Sequence, residues 1–432
     1  MEKVAEFINA KSYRQALARL CRLANESRPD YRLILGDWEN LYLKHKKKWG
    51  VLYVIRRFEN EDNAIKPDEI TENPLLWLKA LDEHCQKRLG PDASCPYDKI
   101  DDGTDESVIL PINPSRGGGA QKNQFCNISY WLKYHRVIPL SRRVDVKEIP
   151  PGYKDWIAQQ MPDDVNIRIA VAHFADDVTP DISRVTSELF VCKDISNREK
   201  RLAEMLRHIR NAKSAGAHIL VVPELTITPA IRLQIANELE RLHEEDGENH
   251  ALAVPVIILG SFHEQIENKW QNYAKAVLGL NGTDLFECYK RTPVTINNCK
   301  EYIEYSSTPL TCLFTPIGLM AMIICKDLFD GVSADVLATL PLDWLLVPSM
   351  SNKLGPHKEA AKKLHDRKGT VVAVANQEMP KIEDCEPGVN QETSRTDDYE
   401  PSFVHHEQYE ECTSDLHIVA LIRKDSYLKL IK

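Results

Sequence analysis

Residues 320–330 read MAMIICKDLFD. Five residues suited to a buried strand, Met320 to Ile324, run without alternation into Cys325. An unbroken apolar run of that kind predicts a strand covered on both faces. The charged pair Lys326 and Asp327 follows at once, so the cysteine falls at the strand's C-terminal end. Open α/β sheets bind their ligands at that edge. An apolar-flanked cysteine is more often a small core residue, and on this stretch alone structure is the simpler reading.

Two other strands end in groups that carry chemistry. In AGAHILVVPEL (215–225) the run His218 to Val222 meets Pro223 and then Glu224. In LFECYKRTP (285–293) an apolar and aromatic stretch delivers Lys290. A carboxylate, an amine and a thiol thus follow three strands, in that order along the chain. Alone, Glu224 reads as a helix N-terminal carboxylate and Lys290, beside Arg291, as half of an exposed basic pair.

Taken together, from about Val165 onward, they resemble the nitrilase, or carbon–nitrogen hydrolase, superfamily. Asn166 to Ala172 looks like its opening strand, NYAKAVLGLNG (272–282) like its hairpin before the lysine, and DWLLVPSMS (343–351) like its strand and loop after the cysteine. The resemblance implies a four-layer αββα sandwich. An amide carbonyl is a poor electrophile and needs a nucleophile, a proton shuttle and a site for the oxyanion. By resemblance Cys325 is the nucleophile, activated where a nearby cation favours its thiolate. Glu224 is the general base. Lys290 stabilises the oxyanion together with the backbone N–H of Lys326. A thioester forms and is hydrolysed, with no metal or organic cofactor. The resemblance also implies a second glutamate that holds the lysine. Glu301 and Glu304 both lie in the window, and Glu304 is preferred for its context before Ser306. Lys326 replaces the usual aromatic residue after the cysteine, and Ala321 stands where a glycine is usual.

Around that site the chain alternates strand and helix, the pattern of an α/β domain. Helices are predicted over Asn197 to Ala215, Pro229 to His243, Ser333 to Leu340 and Lys358 to Arg367. The chain has 432 residues and fits two domains. Residues 1–150 read as a mostly helical accessory domain, with 90–164 irregular and Pro150 to Asp164 as the linker into a hydrolase-like domain at 165–432. A Gly117 to Gly119 tract lacks the Lys-Ser/Thr pair of a phosphate loop and reads as flexible. The basic run Lys44 to Lys48 reads as a solvated helix end. Phe174-Ala175-Asp176-Asp177 spells a polymerase-like acidic pair, but too little chain precedes it for a palm.

With 55 basic and 64 acidic residues intermixed, the net charge of −9 offers no general basic surface and argues against a nucleic-acid partner. No stretch approaches the ~18–20 apolar residues of a membrane span. The start, MEKVAEFINAK, does not read as a secretory signal. Eleven cysteines, an odd number without Cys-x-x-Cys spacing, read as free thiols in a reducing cytoplasm. His405 and His406 form no zinc set.

The expected function is cysteine-dependent hydrolysis of a small amide, carbamoyl or acyl-amine. A glutaminase or acyl-transferase variant, and a catalytically quiet sensor or scaffold acting through the N-terminal domain, are the alternatives. A homo-oligomer is expected by resemblance. An added helical domain more often regulates, oligomerises or recruits than catalyses, so a protein partner is looked for there.

Overall fold

The computed structural model describes residues 1–26, 42, 50–59, 64–89, 98–101, 106–111, 132, 134–140, 143–160, 167–174, 178–246, 253–296, 298–304, 306–316, 318–338, 340–378, 402–405, 409–411 and 416–421. The Gly117 tract, the Lys44 to Lys48 run, Asp176, Asp177, His406 and the polar stretch Lys381 to Glu400 lie outside them. Helices Glu2–Asn9, Tyr13–Glu26, Val51–Glu59, Pro67–Glu72 and Pro74–Leu89 open the chain. In Tyr13–Glu26, Ala16, Leu17, Leu20, Cys21 and Ala24 recur at helical spacing and are buried. They pack with Val54, Phe58 and Trp77 into one core.

The described residues of the next stretch, which the sequence reads as irregular, include strands. Strands β1 (Asp98–Asp101), β2 (Glu106–Pro111) and β3 (His135–Pro139) form an antiparallel sheet. Side chains alternate along β2, so one strand serves two cores. Ile109 joins the helical core, and Val108 and Leu110 join the core of the larger domain. Contacts cross the expected boundary at 150. Strand β4 (Val144–Glu148) pairs in parallel with a strand of the larger domain, and the expected linker holds a helix, Pro151–Gln159, whose Ile157 is buried.

The remaining strands are β5 (Ile167–Ala172), β6 (Pro180–Thr186), β7 (Leu189–Ile195), β8 (Ile219–Val221), β9 (Val256–Ile266), β10 (Lys269–Leu278), β11 (Asp284–Tyr289), β12 (Thr295–Ile296) and β13 (Cys299–Glu301). They continue with β14 (Leu310–Thr315), β15 (Gly318–Met322), β16 (Trp344–Met350), β17 (Val371–Gln377), β18 (Phe403–His405), β19 (Tyr409–Glu411) and β20 (Leu416–Leu421). One sheet runs β11-β10-β9-β8-β5-β20 and the other β19-β18-β17-β16-β15-β14-β4. Ile169, Ile219, Ile258 and Ala274 of the first meet Met320, Leu346 and Ala373 of the second in a shared core. Helices Arg198–Ser214 and Pro229–Asp246 contribute Met205, Ile209, Ile231 and Ile235 to the core outside the first sheet. Gly331–Leu337 and Gly355–Lys368 contribute Val336 and Ala361 outside the second. The result is a helix–sheet–sheet–helix sandwich. A small sheet, β12-β13-β7-β6, stands beside it. Its hairpin β6–β7 is an element the sequence reading does not contain. Among the described residues no helix is long and apolar enough to cross a membrane.

Candidate active site

Glu224 follows β8 at the edge where both sheets end. Its backbone is pinned from two sides: Glu224 N–H donates to Ser349 O of β16 at 3.3 Å, and Leu225 N–H donates to Ser261 O of β9 at 2.8 Å. Leu225 takes the left-handed conformation, φ 55°. Gly260, φ +66°, lies so close that a Cβ there would overlap Pro223 O. Only glycine accepts both the conformation and the approach.

Lys290 follows β11, its N–H donating to Asn272 O at 2.8 Å. Its Nζ lies 2.7 Å from Glu224 Oε1 and 2.7 Å from Glu301 Oε2. Cys325 follows β15 at φ 47° and opens the short 3-10 turn Cys325–Leu328. A left-handed cysteine is a strained residue, the kind that accumulates at functional sites. Asp327, two residues on, ties this turn to the lysine strand. Its carboxylate accepts the N–H groups of Arg291 and Thr292, each at 2.9 Å. Glu224, Lys290 and Cys325 are all buried, between 1% and 3% exposed.

The structure places Glu301 on Lys290, while Glu304, the residue preferred from the sequence, stands away from it. Glu304 is half-buried and faces Lys269 at 3.4 Å. The reason is strand periodicity. Along β13, Cys299 and Glu301 point inward and Lys300 outward, whereas Glu304 lies beyond the strand. Glu301 also accepts from Asn272 Nδ2 at 2.9 Å and from Val294 N–H at 3.0 Å, and meets His263 Nε2 at 2.8 Å. Cys192 N–H of β7 donates to His263 Nδ1 at 2.6 Å, which leaves the ring proton on Nε2, facing Glu301. Asn272 Nδ2 also donates to Glu224 Oε1 at 2.9 Å, so one amide spans both carboxylates. The sequence reading missed Asn272 and His263 as site residues. Asn272 stood in the quoted hairpin, while His263 carries no local signal because its partners arrive from β7 and β13.

Charge follows from this packing. Burial opposes the Lys290 ammonium, but Glu224 and Glu301 outweigh it and hold its pKa above the usual lysine value. Burial raises Glu301, but Lys290 and His263 hold it well below the usual carboxylate range. Burial, then Glu224, push the Cys325 thiol up to about 12, against the pull of Lys290 and Ser349. The free site therefore holds a thiol. Lys290 does pull the thiol toward ionisation, but desolvation outweighs that pull. Lys326 turns its side chain to Asp330 at 3.2 Å, part-exposed at the rim.

Carboxylate, ammonium and thiol converge where the two sheets end, in the sandwich described above. The order of its layers is the αββα order that the sequence resemblance implies. No protein-family model matches the sequence, and no curated protein matches it. Among solved structures the chain is similar to an amidase from Nesterenkonia sp., 16% identical, over 62% of this chain and 94% of that one, with a TM-score of 0.40. It is also similar to a glutamine-dependent NAD+ synthetase from Acinetobacter baumannii, 20% identical, over 59% of this chain and 45% of that one, with a TM-score of 0.39. Likeness of this degree assigns no activity.

Proposed function

We propose that the protein hydrolyses a non-peptide C–N bond of a small amide, carbamoyl or acyl-amine compound through a thioester on Cys325. The observation that carries this reading is Lys290 Nζ held 2.7 Å from two buried carboxylates, with a buried thiol at the end of a strand of the other sheet. Glu224 takes the thiol proton as sulfur attacks the carbonyl carbon. The oxyanion develops against the Lys290 ammonium and the backbone N–H of Lys326. Glu224 returns the proton to the leaving nitrogen, the C–N bond breaks, and ammonia or an amine departs. Water, deprotonated by Glu224, then attacks the thioester, releasing the acid and the thiol. Glu301 keeps Lys290 charged and in place.

The test is release of ammonia from simple aliphatic amides, glutamine and N-carbamoyl amino acids by wild type, Cys325→Ala and Glu224→Gln. Release that vanishes in both variants is the expected result. Ammonia released without equimolar free acid, when an acceptor amine is present, shifts the reading to acyl transfer. No release from any compound, together with iodoacetamide labelling of Cys325 that is unaffected by Glu224→Gln, overturns it.

A further inference from the structure

The triad accounts for Glu224, Lys290 and Cys325, yet two other buried polar side chains stand beside the sulfur. Ser349 Oγ, at the end of β16, donates to Cys325 Sγ at 3.4 Å, an ordinary length for a sulfur acceptor. His357 Nε2, in the first turn of Gly355–Lys368, lies 3.4 Å from the same hydroxyl. Both residues are buried. We propose that Ser349 is a further catalytic residue, giving its hydroxyl proton to the hydrogen bond with the sulfur, and that His357 is a positioning residue acting through that hydroxyl.

Proton counting sets the direction. A hydroxyl has one proton; once it points at sulfur, the oxygen accepts from His357 Nε2–H. That tautomer leaves Nδ1 as a bare lone pair, and His357 Nδ1 has no hydrogen-bond partner among the described residues. The ring is held edge-on to Phe329, centroids 4.8 Å apart at 73°, and Phe329 follows the cysteine turn. Burial and the Lys290 charge lower His357 to about 4, so it is a neutral donor and no store for the thiol proton. Lys290 is the charged group that acts on it, and the proton goes to Glu224. The same strand end also grips that acid: Met350 N–H donates to Glu224 Oε2 at 3.1 Å. The backbone of 349–350 thus holds the base while the Ser349 side chain holds the sulfur. A donor aimed where negative charge grows lowers the cost of deprotonating a desolvated thiol.

This inference rests on Cys325 as the nucleophile. The test is the iodoacetamide alkylation rate of the Cys325 peptide at pH 8, read by mass spectrometry on the full chain. Ser349→Ala is expected to slow it about tenfold and His357→Leu about threefold. The double variant should match Ser349→Ala alone, because the histidine acts only through the hydroxyl. His357→Gln, which keeps a donor, should recover most of the loss. A wild-type rate in Ser349→Ala, or a His357→Leu loss that multiplies in full upon Ser349→Ala, overturns the proposal. Should Ser349→Ala not melt cooperatively, the Leu and Gln variants decide it: equal losses overturn, recovery by Gln supports. Failure of the underlying reading differs, since wild-type labelling would then be indifferent to Glu224→Gln.

Discussion

At the residue scale, one lysine between two carboxylates organises the site. Glu301 is satisfied by Lys290, His263, Asn272 and Val294 N–H, whereas the Glu304 carboxylate faces the exposed Lys269. Glu301→Gln is expected to lower ammonia release at least about a hundredfold, because the ammonium loses a charge partner in a dry site. Glu304→Gln should stay within about twofold, since exposed pairs contribute little. Assaying both variants on one substrate separates the two glutamates. The thiol at about 12 carries a pH signature. On the order of one sulfur in ten thousand is ionised at pH 8, rising about tenfold per pH unit. Alkylation of Cys325 should therefore climb from pH 7 to 10 without the plateau that an ordinary thiol shows near pH 9. A plateau near neutrality would mean a preformed thiolate.

At the element scale, the strand ends and the turns after them position the groups of the proposed site. Gly260→Ala places a methyl against Pro223 O, so the Pro223–Glu224 turn must move. The variant is expected to lose activity by more than tenfold even where it stays folded, because small displacements of a catalytic group are costly; paired melting and rate measurements check this. The helix that carries His357 adds a pH term. Its pKa falls from 6.5 to about 4 on folding, so the unfolded chain takes up a proton that the folded site refuses. Its contribution to stability is complete above pH 6.5 and is lost as pH falls toward 4. Asp327 runs the other way in the same window: burial raises it from 3.8 to about 6, so folded stability gains as pH falls through 6. Removing one exposes the other. The melting midpoint of His357→Leu, measured against wild type, should gain ground between pH 7 and pH 5.

At the scale of the whole molecule, the N-terminal region is built into the sandwich. Arg136 of β3 binds Asp343 through both nitrogens, the second at 2.8 Å, and Arg136 Nη1 also donates to Pro341 O at 2.8 Å. Asp343 in turn accepts Leu319 N–H of β15 at 2.8 Å. Arg136→Met strands a buried carboxylate and should cost about 3–5 kcal/mol, read as a drop in the urea midpoint, while Arg136→Met with Asp343→Asn should recover part of it. A fragment of residues 165–432 lacks β4 and the Ile157 helix, and it bares the β14 edge. It is expected to aggregate under conditions where the full chain does not. A monodisperse fragment with a sharp melt would show that the two parts are separable.

Local chemistry was enough for part of this. Apolar runs ending at Glu224, Lys290 and Cys325, and the alternation of strand with helix, were legible because period and punctuation are properties of neighbouring residues. The lysine's second carboxylate was a matter of side-chain alternation, Cys299 and Glu301 inward with Lys300 outward, in a strand too short to read before it was paired. His263, Asn272, Ser349 and His357 lay beyond reach for a different reason. Each acts through a partner brought from another strand or helix, and burial, which set the thiol at about 12 against the pull of Lys290, exists only once the sheets have closed. The sequence by itself determined which groups stand at the strand ends. Only the tertiary structure decided which of them share a dry site, because desolvation and hydrogen bonding depend on distance in space and not along the chain.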